Sequence, residues 1–196
     1  DLYDLPMELK YLPIIESALN PVAVSRQGAT GLRQFMLGTG KIYGLKNNSL
    51  IDERRDPIKS TWAAARYLKD LYAIYQDWNL VLAAYNCGPG TINKAIRRAG
   101  GATDYWTIYN YLPKETRGYV PAFIAANYIM TYYCEHDICP METQLPSATD
   151  TIHIHKDLHL QQVAEVCNLN IDQLRSLNPQ YKKDIIPGNS ELCVLR

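Results

Sequence analysis

Glu16 closes the apolar run Leu12-Pro13-Ile14-Ile15 and precedes Ser17. A carboxylate among apolar neighbours loses solvation, which raises its pKa. A carboxyl that stays protonated near neutral pH is suited to general acid catalysis. From the local pattern alone, a glutamate on the wet face of a helix is the plainer reading. Three further acids, Asp52, Glu53 and Asp56, cluster before Pro57 and read as a loop and a helix cap. His153 and His155 alternate with Ile152 and Ile154, as on the outward face of a strand, and no C-x-x-C pair accompanies them. No metal is therefore expected. The 15 tyrosines and three tryptophans could pack ring faces on sugar C–H groups while their polar edges reach hydroxyls. For any single ring, a place in the core is the simpler expectation.

The elements that must position these groups are mostly helical. Leu5, Leu9, Leu12, Ile15 and Leu19 recur at helical steps after Pro6, with a bend due at Pro13 and a stop at Asn20-Pro21. Asp56-Pro57 pairs an N-cap acid with an N1 proline. It opens a helix whose predicted apolar stripe is Ile58, Trp62, Ala65, Leu68, Tyr72 and Tyr75. Helices follow over about 80–86, 91–99 and 115–133, the first ending at Cys87-Gly88-Pro89-Gly90, with Asp104 capping a short aromatic turn before the last. Residues 140–150 read as a linker, and 151–196 as a small β-α-α-β unit. With 196 residues the chain can hold one domain and a smaller second one. Twenty basic residues balance twenty acidic ones, so charge gives no pull toward nucleic acid. No apolar run is long enough to span a bilayer. Asp1 follows no leader, which fits either a cytosolic protein or one whose leader precedes this sequence.

Further motifs surround Glu16-Ser17. They are Ser25-Arg26-Gln27-Gly28-Ala29-Thr30-Gly31-Leu32-Arg33-Gln34-Phe35-Met36, then Ala83-Ala84-Tyr85-Asn86-Cys87-Gly88, then Arg117-Gly118-Tyr119-Val120-Pro121. In this order the series resembles the catalytic domain of lytic transglycosylases, which share the goose-type lysozyme fold. The Asp52–Pro57 and Arg117–Pro121 runs look most like the D group of the membrane-bound enzymes. The resemblance covers about residues 3–133 and implies an all-helical, lysozyme-like domain over 1–139. It assigns Glu16 as the single acid/base, and Ser25, Gln34, Met36, Tyr85, Asn86 and Tyr119 as substrate-contacting. For Tyr119, plain helix packing stands as an equal alternative. Arg33, Leu37 and Cys87 depart from the family's usual residues and bear on substrate fit.

The implied substrate is the peptidoglycan glycan strand, cut between N-acetylmuramic acid and N-acetylglucosamine without water or cofactor, to leave a 1,6-anhydro sugar. A hydrolytic muramidase of the same fold, and a non-catalytic peptidoglycan-binding protein, are the competing readings. The implied location is the periplasm or outer membrane of a bacterium, with any membrane anchor in a segment outside this chain, and a monomer is expected. An extracytoplasmic site permits disulfides. Cys134–Cys139 and Cys167–Cys193 are the expected pairs with Cys87 free, five unpaired thiols being the alternative. Residues 151–196 resemble a LysM module, which binds N-acetylglucosamine-containing glycans, through Ile152-His153-Ile154, Leu160, Val163-Ala164, Leu174, Leu177-Asn178-Pro179 and Pro187-Gly188. Asp157-Leu158-His159 replaces that family's Gly-Asp-Thr turn. Asp157 adopts glycine's backbone geometry less readily, and Leu158 removes a carboxylate that could cap the next helix. Weakened glycan binding is expected, with packing on the catalytic domain as the module's alternative role.

Overall fold

The computed structural model describes residues 3–141 and 148–196. The predicted first helix is split in two, a 3-10 turn over Met7–Tyr11 and α1 over Leu12–Ser17. Pro13 lies in the first turn of α1, where its missing N–H is tolerated; inside one continuous helix it would break the ladder. α1 stops sooner than expected, because Ala18 and Leu19 both turn left-handed (φ 49° and 63°). Short α2 covers Leu37–Ile42. Asp56 then caps α3, Pro57–Tyr75, its carboxylate accepting from the N–H groups of Ile58 and Lys59 at 2.9 and 3.0 Å. The buried face of α3 is rotated from the predicted stripe. Ile58 and Trp62 are exposed, while Ser60, Ala63, Ala64, Leu68 and Leu71 are buried. A hydropathy stripe favours the large residues, but Ala and Ser allow the closest backbone approach.

The chain forms two compact units, residues 1–19 with 61–139, and residues 20–60 with 140–196. α4, Trp78–Cys87, lies at the centre of the first, with Leu80, Val81, Leu82, Ala83 and Ala84 all buried. Five consecutive buried residues mean that this helix is surrounded on every side. Leu12, Leu71, Ile92, Tyr105, Ile108 and Val120 complete the core around it. Gly88 (φ 83°) makes the turn into α5, Pro89–Arg98. α6, Tyr105–Ile108, is capped by Asp104, which accepts from the Thr107 N–H at 2.7 Å. α7, Lys114–Thr131, contains Pro121, which cannot donate to the carbonyl of Arg117 four residues back. The Tyr105 hydroxyl donates to that carbonyl at 3.0 Å, so the proline costs no unpaired acceptor.

In the second unit, β1 (Ile152–Ile154) pairs antiparallel with β4 (Cys193–Leu195) around α8 (Leu160–Cys167) and α9 (Ile171–Leu177). The β-α-α-β expectation lacked a second pair, β2 (Asp157–His159) with β3 (Ile185–Pro187). The substituted turn is therefore strand, and Asp157 needs no left-handed backbone. Its carboxylate accepts from the Asn189 N–H at 3.0 Å. Gly188 supplies the close approach instead, since a Cβ there would lie 2.3 Å from the Lys156 carbonyl oxygen. Nor does α8 lack a cap. His159 Nδ1 accepts from the Gln161 N–H, and the Gln162 side chain accepts from the His159 N–H, which forms a capping box. Asn178 does more than end α9. It is buried, donates to the carbonyls of Leu174 and Arg196, and accepts from the Arg196 N–H. Of the predicted linker, residues 142–147 lie outside the described residues.

The expected disulfides are not formed, and all five cysteines are free. Cys193 is buried in the core of the small module against Tyr181, whereas Cys167 is exposed at the end of α8. Cys134 and Cys139 are both exposed. Among the described residues no His, Cys, Asp or Glu cluster could hold a metal ion, and no helix is long and apolar enough to cross a membrane.

Candidate active site

Glu16 occupies the last turn of α1, half-buried, one residue short of the two left-handed residues. Tyr119 of α7 donates its hydroxyl to Glu16 Oε1. Thr116, Tyr119, Val120 and Phe123 form the buried face of α7, at helical steps. Asn86, at the end of α4, bonds to that face. Its side-chain oxygen accepts from the Thr116 hydroxyl at 2.8 Å. With Thr116 pinned, Tyr119 one turn on is aimed at the carboxylate. Asn86 is thus bonded into this unit, and Tyr119 both packs in its core and bonds to the carboxylate. Tyr85, next to Asn86 on the central helix, packs its ring 5.4 Å from that of Tyr67. Burial, followed by the neighbouring Tyr75 and Cys87, pushes the Tyr67 phenol up to about 12, so it is a neutral hydroxyl across physiological pH. Burial likewise pushes the Cys87 thiol up, which makes it a poor nucleophile.

The Ser25–Met36 motif lies in the second unit as a tight, self-bonded loop. Ser25 is exposed, and its hydroxyl oxygen accepts from the Ala29 N–H at 3.0 Å. Gln34 takes a left-handed conformation (φ 49°), and its Nε2 donates to the carbonyls of Gly31 at 2.8 Å and Ala23 at 3.3 Å. Part of the glutamine's hydrogen-bonding capacity therefore goes into shaping the loop. Met36 is exposed at the start of α2. Asp52, Glu53 and Asp56 are buried and ion-paired with Arg54, Lys59 and Arg196 respectively. Burial opposes ionisation of Asp52, but the Arg54 hydrogen bonds and charge outweigh it and hold the carboxyl below its usual range. These acids belong to the framework. Sequence reasoning gave no role to Thr116, or to Arg54 within the Asp52–Pro57 run, because their partners Asn86, Gly28 and Phe35 are distant in the chain.

A family profile described as "Transglycosylase SLT domain" matches residues 3–108, and one described as "Lytic transglycosylase MltD, LysM-like domain" matches residues 148–195. The chain belongs to the transglycosylase SLT family. Among its relatives, the membrane-bound lytic murein transglycosylase D of Escherichia coli K12 is 35% identical over 98% of this chain and 43% of its own length. The soluble lytic murein transglycosylase of the same organism is 32% identical over 60% of this chain and 19% of its own length. The crystal structure of the 70 kDa soluble lytic transglycosylase of E. coli superposes with a TM-score of 0.54 at 28% identity, covering 67% of this chain and 22% of that one. This SLT chain thus spans under half the length of the curated relatives it matches. The lysozyme-like helical fold and the small C-terminal module agree with the expectation from sequence.

Proposed function

We propose that the chain is a peptidoglycan lytic transglycosylase in which Glu16 serves as the single acid/base. The observation that carries this reading is the half-buried Glu16 carboxylate with the Tyr119 hydroxyl on it, Glu16 lying within the residues that the family profile matches. The burial and ion pairing of Asp52, Glu53 and Asp56 support a one-carboxylate mechanism, since none of the three acids near the motifs is free to act as a second. Protonated Glu16 donates to the glycosidic oxygen as the bond to muramoyl C1 breaks. The resulting carboxylate then takes the proton of the C6 hydroxyl, whose oxygen closes on C1. One proton is given and one recovered, and no water enters. Holding that hydroxyl near C1 is a proximity effect, so residues that grip the glycan matter as much as the acid.

Ser25, Gln34, Met36, Tyr85 and Asn86 are proposed as substrate-contacting, with Tyr119 orienting the Glu16 carboxyl. The catalytic domain is taken as residues 1–139, joined through 140–150 to a LysM-like domain at 151–196. The chain acts without a cofactor, as a monomer, in the bacterial cell envelope. Digestion of purified peptidoglycan followed by mass analysis tests the reading. Fragments ending in 1,6-anhydromuramic acid are expected. Ends heavier by one water would identify a hydrolase, and an absence of new ends a non-catalytic binder.

A further inference from the structure

Beyond its own hydrogen bonds, the loop that carries Ser25 and Gln34 is gripped at two carbonyls by the Arg54 side chain. Arg54 is 8% exposed, and its guanidinium forks onto the Asp52 carboxylate, Nε to Oδ1 at 2.9 Å and Nη2 to Oδ2 at 2.8 Å. Nη1 donates to the carbonyls of Gly28 and Phe35, each at 3.1 Å. Gly28 lies three residues after Ser25, and Phe35 directly follows Gln34, so the two ends of the motif rest on one guanidinium. The middle rests on the same residue, since a Cβ on Gly31 (φ 86°) would lie 1.9 Å from the Arg54 carbonyl oxygen.

Arg54 is in turn held from the C-terminal module. Residues 50–52 pair antiparallel with 180–182, the Asp52 N–H donating to the Gln180 carbonyl and the Lys182 N–H to the Leu50 carbonyl, both at 2.8 Å. Ile51 is buried in the core of the module among Leu160, Ile186, Cys193 and Leu195. Arg196 pairs with Asp56 at 3.2 Å, with 13% and 2% of the side chains exposed. A planar fork with five donors can satisfy a carboxylate and two carbonyls together, which a lysine ammonium cannot do in this geometry.

We propose that Arg54 is the positioning residue of the Ser25–Gln34 loop, and that the LysM-like module is the buttress that fixes it through residues 50–56. The proposal rests on the assignment of Ser25 and Gln34 as glycan contacts. It gives the module a task that does not depend on its altered turn: a loop already ordered by the module loses less conformational freedom when it grips the glycan.

The test compares the full chain with Arg54→Lys, Ile51→Asp and the double variant, with circular dichroism reporting helix content. Ile51→Ala makes the same comparison should the aspartate not fold. Hydrogen exchange without substrate is read at Thr30, Gly31 and Phe35, whose N–H groups bond within the loop. Both single variants should speed exchange there by about tenfold or more, with α4 unchanged, as expected of a local opening. On soluble glycan strands KM should rise about tenfold while kcat stays within about threefold, the pattern of lost binding rather than lost chemistry. The double variant should be no worse than the worse single one, because both act through one path. Wild-type loop protection in Arg54→Lys would overturn the positioning role. Faster exchange confined to residues 47–56 and the module in Ile51→Asp would overturn the buttress. A wild-type chain that releases no anhydro product would end the enzymatic reading, and the exchange data would still decide the coupling.

Discussion

Tyr119→Phe removes one oxygen and leaves the ring packed beside Val120 and Phe123 in the core. What is lost is the hydroxyl donated to Glu16. A hydrogen bond to a charged group contributes about 1.5–3 kcal/mol. Tyr119 is 8% exposed and Glu16 half-buried, so water screens the pair in part and the lower end of that range applies. Since about 1.4 kcal/mol corresponds to tenfold in rate, a loss of about 1.5 kcal/mol should lower kcat/KM by roughly tenfold. The melting temperature should fall by only about 3–6 °C, given the usual 2–4 °C per kcal/mol for a chain of this size. The assay is initial-rate release of anhydro-ended fragments from soluble glycan strands, followed by mass spectrometry, with calorimetry on the same samples. Turnover within twofold of wild type would show that the hydroxyl does not serve Glu16 and that Tyr119 is packing alone. A large loss of melting temperature with unchanged kcat/KM per folded molecule would point the same way.

Glu16→Gln keeps the side-chain shape but cannot cycle a proton, so turnover should drop by about 10²–10⁴-fold with the melting temperature nearly unchanged, and near-wild-type muropeptide release would end the assignment. Thiol titration of the unfolded, unreduced protein should count five free thiols, Cys134, Cys139 and Cys167 reacting first in the native state because they are exposed; a count of one would restore the two disulfides. The folded-state depression of the Asp52 pKa means that its pairing stabilises the protein above the usual value of 3.8 and is lost as pH falls below it. Urea unfolding at pH 6 and at pH 3 should therefore show a smaller acid loss for Asp52→Asn than for wild type, and equal losses would contradict the sign. Calorimetric titration of the full chain with chitin oligomers should give a Kd weaker than about 10 μM, some 7 kcal/mol, and tighter binding would mean that the Asp157–His159 substitution does not impair glycan capture.

Much of this molecule was legible where the physics is local. Caps at Asp56 and Asp104, the break at Cys87-Gly88, and the paired helices of the small module each follow from backbone groups and side chains a few residues apart. Glu16 could be singled out because each motif of the series around it is a short contiguous run, and the runs follow in a fixed order. The partners could not be. Tyr119 reaches Glu16 across 103 residues, and helical periodicity states that a face is buried without stating against what. The rotation of α3 depended on small residues whose hydropathy is low. The β2–β3 pair needed Gly188 to come against Lys156, a contact between strand ends far apart in sequence. Arg54 reads only as part of the Asp52–Pro57 run until Gly28 and Phe35 are brought to its guanidinium, and Ile51 carries no signal until the C-terminal module packs around it. Sequence by itself determined most of the helices and their caps, because these are set by short-range chemistry, and it marked Glu16 as the candidate acid through its motifs. The tertiary structure alone decided which groups hold that acid and the loop, because a buried hydrogen bond is satisfied by whatever the whole chain carries to it.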